Sequence, residues 1–368
     1  MTSTFRLGKI AGIPIGVHWS IVVVAALLTT SLAGSLLPSV LPGAHGSYWA
    51  AAILAAGLFF ASILAHELSH ALVARHYGQK VEDITLWLLG GVSRLGSESP
   101  SPRAELLVAL AGPGMSLALG GAFFGVGELV RTLAGTSTLL SVVLIWLGAI
   151  NVILGVFNLL PGSPLDGGRV VSALLWMRNH DHRQAQIGAA RAGRVVGAIL
   201  IALGLMNLLF GIGVGTLWTA FVGWFIFEAS VAEERAARAS RALDGRRVRD
   251  VMTANPPEAP AWVHAIDVRR SFPPPDAHQH TLVLRDYDGS VHATVPIETV
   301  RNAPDTATLR DLAQPAIVAP PDAYVLDVLR DAPAVGSVVV MQDNHLLGVI
   351  GPDEMRAAED AKPLAPTA

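Results

Sequence analysis

The chain contains no cysteine. It therefore forms no disulfide, no thiolate metal site and no cysteine nucleophile, and any metal has to be held by His, Asp or Glu. Charge is scarce as well. Asp, Glu, Lys and Arg make up 15% of the 368 residues, against roughly a quarter in an ordinary soluble protein. The scarcity is uneven: residues 1–230 carry 21 charged side chains and residues 231–368 carry 34. The first stretch lacks the charged surface that a water-soluble domain needs; the second has it. A hydrophobic content of 52% excludes intrinsic disorder. A net charge of −3 without a basic block leaves nucleic acid out as an expected partner.

What is present in the first stretch is a series of long apolar runs. A helix needs about 20 residues to cross a bilayer. Runs at 17–37, 48–74, 105–130 and 139–160 meet that length, and shorter runs at 195–210 and 215–227 read as a helical hairpin. We expect about six transmembrane helices. The first run is too long for the apolar core of a signal peptide and holds His18 and Trp19 at its mouth, so it reads as a retained span. Arg6 and Lys9 precede span one, Arg75 and Lys80 follow span two, and Arg169, Arg178, Arg183, Arg191 and Arg194 lie between spans four and five. Arg235, Arg238 and Arg241 follow span six. Positive charge gathers on the cytoplasmic side, so both termini are expected in the cytoplasm of a cell whose plasma (bacterial inner) membrane holds the chain.

Between spans two and three, residues 81–89 and then Gly90-Gly91-Val92 alternate enough to suggest a short β-hairpin region, strands with a tight turn. Unpaired backbone cannot face lipid, so this region belongs at the membrane surface or inside the bundle. The chain is expected to divide into a membrane domain at 1–230, a linker helix at 231–247, a pair of related α/β units at 248–360 and a tail at 361–368. The pairing rests on a repeat of about 60 residues: Arg249-Asp250 and Arg310-Asp311 each open a unit with the same order of elements.

Span two contains His66-Glu67-Leu68-Ser69-His70. Histidines four apart share a helix face and can reach one metal, and imidazole suits zinc. Glu67 stands beside them, where it can take a proton from metal-activated water. Three ionisable groups within five residues of an apolar span are costly and mark function. Catalytic zinc takes three protein ligands and an open position. Asp166, in Leu165-Asp166-Gly167-Gly168 after the helix-breaking Pro161 and Pro164, is expected on irregular backbone beside the membrane; alone it reads better as a helix cap, and beside a two-histidine site it becomes the best third ligand. Asn151, two turns before Asn158, reads as either support for the site or helix packing.

These residues resemble the site-2 protease family of intramembrane zinc metalloproteases. The resemblance rests on residues 66–70, on Gly90-Gly91-Val92, on Ala111-Gly112-Pro113, and on Asn158-Leu159-Leu160-Pro161 through Gly168. The second part resembles a pair of CBS domains, which places the match in the branch with a C-terminal CBS pair, of mycobacterial type. The resemblance implies one zinc ion per chain bound by His66, His70 and Asp166. It implies Glu67 as general base and then acid, and Asn158 as a catalytic group that holds substrate backbone or the developing oxyanion. Gly90, Gly91 and Val92 would offer a strand edge to an unwound substrate. The implied substrate is a transmembrane protein such as an anti-sigma factor, cut within its membrane helix to release a regulator. CBS pairs imply an adenosine nucleotide as ligand and association into a homodimer. Here the second unit has Glu354 where an Asp is expected to bind ribose, and a purely structural or dimerising module fits as well. Two other classes compete: an inactive scaffold that binds membrane helices, and a transporter gated by its CBS pair. The intact Glu67 disfavours the scaffold, and the gathering of ionisable groups in spans two and four disfavours the transporter.

Overall fold

A computed structural model describes residues 4–43, 46–87, 90–96, 98–210, 216–271, 280–331, 337–343 and 345–351. The chain forms two compact units, Met1–Glu234 and Arg235–Ala368. Glu354 and the tail at 361–368 lie outside the described residues, as does the junction of the expected hairpin at 211–215.

The first unit opens with a strand pair that the sequence reading missed. β1 (Phe5–Ile10) and β2 (Ile13–Val17) turn through Ala11 and Gly12, both at positive φ (50° and 80°). Two positive-φ residues make the tight turn whose twist suits a hairpin. The Arg75 guanidinium donates to the Ala11 carbonyl and so ties this turn to a helix end. The chain then enters α1 (Ser20–Ser31), a π-helical turn at Leu32–Leu36 and α2 (Leu37–Val40), which together form one span, Ser20–Val40. α3 (Tyr48–His76) follows. β3 (Val81–Trp87) returns to pair in parallel with β2, and β4 (Gly90–Leu95) pairs antiparallel with β3. The expected short hairpin is therefore half of a four-stranded sheet in the order β1-β2-β3-β4. Buried Ile13, Ile15 and Ile84 of this sheet pack on Ala71 of α3.

α4 (Pro102–Ala134) starts at Ser101, whose side chain accepts from the Ala104 N–H, and stops at Gly135 in the left-handed region. α5 (Leu139–Asn158) starts with a reciprocal cap between Thr138 and Ser141. α6 (Asp166–Asn179), α7 (His182–Leu209) and the part of α8 (Thr216–Leu243) up to Glu234 complete the unit. Five helices among the described residues are long and apolar enough to cross a membrane: Ser20–Val40, Tyr48–His76, Pro102–Ala134, Leu139–Asn158 and His182–Leu209. The expected sixth, 215–227, falls in the apolar first half of α8. The second half of α8 is charged, and the stretch expected as a separate linker is largely its continuation. Likewise Arg183, Arg191 and Arg194, expected between spans four and five, lie on the N-terminal half of α7, which is capped by Asp181.

The second unit is one seven-stranded sheet, built as the CBS-like tandem read from the repeat. β5 (Thr253–Ala254), β6 (Glu258–Pro260), α9 (Ala265–Ser271), β7 (Thr281–Arg285), β8 (Ala293–Pro296) and α10 (Ile297–Asn302) precede β9 (Gln314–Ala319). α11 (Val325–Asp331), β10 (Ser337–Gln342) and β11 (His345–Ile350) follow. The strand order is β5-β11-β10-β9-β8-β7-β6. The repeat is visible in the pairing: β6 runs parallel to β7 and β7 antiparallel to β8, as β9 runs parallel to β10 and β10 antiparallel to β11. Each half opens on a 3₁₀ turn closed by an aspartate, with Asp250 accepting from the Arg247 N–H and Asp311 from the Thr308 N–H, both at 3.0 Å.

Candidate metal centre

α3 places His66 and His70 one turn apart on a buried face; the two residues are 5% and 6% exposed. The third group arrives from 100 residues further along the chain. α5 ends at Asn158, the stretch 159–165 is irregular, and Asp166 is the first residue of α6, not part of the irregular stretch. The Asp166 carboxylate Oδ2 lies 3.2 Å from His66 Nε2 and 3.2 Å from His70 Nε2, and the two Nε2 atoms are 3.1 Å apart. Tetrahedral zinc with bonds of about 2.0–2.1 Å would set its donor atoms roughly 3.3 Å apart. The triangle therefore has the size that such an ion requires.

The far sides of the rings fix their chemistry. His70 Nδ1 lies 2.6 Å from the Val108 carbonyl oxygen, which can accept but not donate. Nδ1 thus carries the proton, and Nε2 presents its lone pair to the triangle. His66 Nδ1 lies 2.9 Å from the hydroxyl of fully buried Ser116, which can accept in the same way. Outer hydrogen bonds of this kind orient metal-binding imidazoles. Two lone pairs and a carboxylate oxygen then converge within 3.2 Å, an arrangement that calls for a cation between them.

Both Val108 and Ser116 sit on α4, which can come this close because Gly112 lies between them. A Cβ on Gly112 would stand 2.6 Å from His66 Nε2 and would overlap the His70 ring. Sequence reading singled out residues 111–113 without giving Gly112 or Ser116 a role. The Gly-Pro pair inside a long helix was the available signal for the first, and nothing marked the second.

Glu67, next to His66 in sequence, lies against β4. The Ser93 hydroxyl of β4 donates to Glu67 Oε2 at 2.9 Å. A Cβ on Gly91 would overlap the Glu67 side chain, so the backbone of β4 lies directly on it. β4 ends the sheet, with β3 as its one neighbour among the described strands. Gly90 has φ 133° and open space around it. Val92 is paired in register with Thr85. Asn158 is half-buried at the end of α5, and its side chain makes no hydrogen bond among the described residues. Asn151 instead braces two helices. Its amide donates to the Leu147 carbonyl at 2.9 Å and to Ser62 Oγ of α3 at 3.4 Å, one turn before His66.

Comparison with known proteins bears on this geometry. The family model described as peptidase family M50 matches residues 54–204. Rip3 of Mycobacterium tuberculosis, a protein named as a zinc metalloprotease, is 41% identical over 99% of this chain and 95% of its own length. The chain belongs to peptidase family M50, the site-2 proteases. This M50 peptidase is also 31% identical to a Synechocystis protein named as a zinc metalloprotease, over 83% of the chain and 79% of the relative. The solved site-2 protease of Methanocaldococcus jannaschii is 27% identical, covers 62% of this chain and 94% of its own, and superposes with a TM-score of 0.43. The chain is thus a membrane zinc metalloprotease, a hydrolase with a CBS-like tandem at its C-terminus.

Proposed function

We propose that this site-2 protease cuts a peptide bond within a transmembrane helix of a membrane-tethered regulator, with one zinc ion per chain held by His66, His70 and Asp166. The single observation that carries the reading is the triangle of donor atoms with edges of 3.1–3.2 Å, formed inside an apolar bundle from residues 100 apart. When bound there, zinc supplies a Lewis acid that makes hydroxide available near neutral pH and polarises the scissile carbonyl.

The remaining steps belong to the protein. Glu67 takes the proton of the attacking water and passes it to the leaving amine. Ser93 holds Glu67 Oε2, which leaves Oε1 for the water. The Asn158 amide, free of other hydrogen bonds among the described residues, donates to the substrate carbonyl. A substrate helix has its amides hydrogen-bonded and shielded, so it must unwind before attack. The free edge of β4 beside Glu67 takes the extended segment as an added strand, with Gly90, Gly91 and Val92 in contact. The substrate class includes anti-sigma factors. The CBS-like pair is the candidate regulatory input, with an adenosine nucleotide as its ligand and a homodimer as its association; a purely structural or dimerising module fits as well. The charge distribution along the helices supports a plasma-membrane location with both termini cytoplasmic.

The test is zinc content per chain in detergent, followed by cleavage of a membrane-helix substrate. About one zinc in wild type, with most of it lost in Asp166→Ala, supports the reading; a metal-free wild type after zinc-replete purification overturns it.

A further inference from the structure

The loop that delivers Asp166 is gripped from outside the metal centre. Ser230 of α8 is fully buried, and its hydroxyl meets two carbonyls: Ile226 of its own helix at 2.7 Å and Ser163 in the loop. From the opposite helix, Gly193 of α7 approaches so closely that a Cβ there would overlap both the Ser163 carbonyl and the Ser230 hydroxyl. Gly162 packs against the Gly193 backbone, and the Ser163 N–H donates to the Ala189 carbonyl at 3.3 Å. Glu233, three residues after Ser230, lines the same pocket as Ser163. Ser163 is thus held at its N–H and its carbonyl, three residues before the third ligand.

We propose that Ser230 is a positioning residue for Asp166, and that α8 sets the geometry of the metal site through the Ser163 carbonyl. The inference rests on the zinc reading above. The Ser163 carbonyl is buried, so removing its donor leaves an unsatisfied acceptor, which drives the loop to rearrange. Loss of a hydrogen bond made directly to a metal ligand weakens affinity by roughly 10- to 100-fold; Ser230 acts one step further out, which places its effect at the lower end of that range.

The experiment uses the full chain in detergent. Zinc affinity is measured by competition with a chelator of known strength, for wild type, Ser230→Ala and Gly193→Ala, together with thermal unfolding of each zinc-free protein. We expect Ser230→Ala to bind zinc about tenfold more weakly, a larger loss than the lost hydrogen bond itself costs the zinc-free protein, whose unfolding temperature falls only slightly. Gly193→Ala, which displaces the same carbonyl by overlap, is expected to weaken zinc binding as well. Wild-type affinity in Ser230→Ala overturns the inference, as does a loss of affinity matched by an equal loss of stability in the zinc-free protein. A wild type that binds no zinc defeats the zinc reading itself, and so the two failures are distinguishable.

Discussion

At the scale of single residues, the site combines charged groups with positions where a side chain is excluded. Glu67→Gln keeps the shape and removes the base. Cleavage is expected to fall by roughly 10²–10⁴-fold, the usual weight of general acid–base catalysis, with zinc content unchanged; loss of zinc together with activity would assign Glu67 to the metal instead. Gly112→Ala should do the reverse of what helix propensity suggests. In an ordinary helix the change stabilises by about 1 kcal/mol. Here the methyl group occupies space against His66 Nε2 and the His70 ring, so zinc per chain should drop close to zero while the protein stays folded, as read by metal analysis and circular dichroism. The charged members of the site were legible in the sequence, because ionisable residues inside an apolar span have no cheap structural explanation. Ser116, Ser93 and Ser230 were not, because serine is common in helices and strands and its partner is a matter of tertiary geometry.

At the scale of elements, the long helices followed from apolar length, whereas their ends did not. α7 begins at Asp181, well before the apolar run, because a cap and an arginine-bearing amphipathic turn extend it. β1 and β2 are hidden in the sequence because Gly8, Gly12, Pro14 and Gly16 dilute any alternation; β3, about 70 residues later, joins them to the rest of the sheet. The edge role of β4 predicts that Val92→Pro, which removes a backbone N–H from that strand, sharply lowers cleavage and leaves zinc bound; unchanged cleavage would mean that substrate lies elsewhere. In the second unit, the hydrogen bonds of Thr308 hold the Asp311 carboxyl below its ordinary range. A depressed carboxylate stabilises the fold above its unfolded pKa, and the benefit disappears as pH falls through the folded value. Asp311→Ala should therefore lower the melting point of that unit at neutral pH and converge with wild type in strong acid. A difference that persists in acid would point to packing rather than charge.

At the scale of the whole molecule, two compact units carry separate cores: one around Leu37, Ala52 and Leu147 among the membrane helices, others around Leu282, Val295, Val338 and Ile350 in the CBS-like tandem. The division was legible as a shift in charge density, and the symmetry of the second unit as a repeat of its opening turns. The order of its strands was not, since parallel pairing joins segments that share no local signal. Zinc bound in one unit stabilises that unit by mass action, about 2.7 kcal/mol at a free concentration 100 times the Kd. A chelator should lower one calorimetric transition and leave the other in place. A shift of both transitions together would show that the units unfold as one.

The separation of His66 from Asp166 by 100 residues also fixes a schedule. Chains emerge during synthesis at about 5–20 residues per second. The two histidines are therefore synthesised roughly 5–20 s before their third partner, and they wait longer while α6 docks. On the zinc reading proposed above, the nascent chain has no complete metal centre throughout that interval, and so no proteolytic power. The order of translation acts as a safety catch: a protease made among the membrane proteins it could damage is armed last.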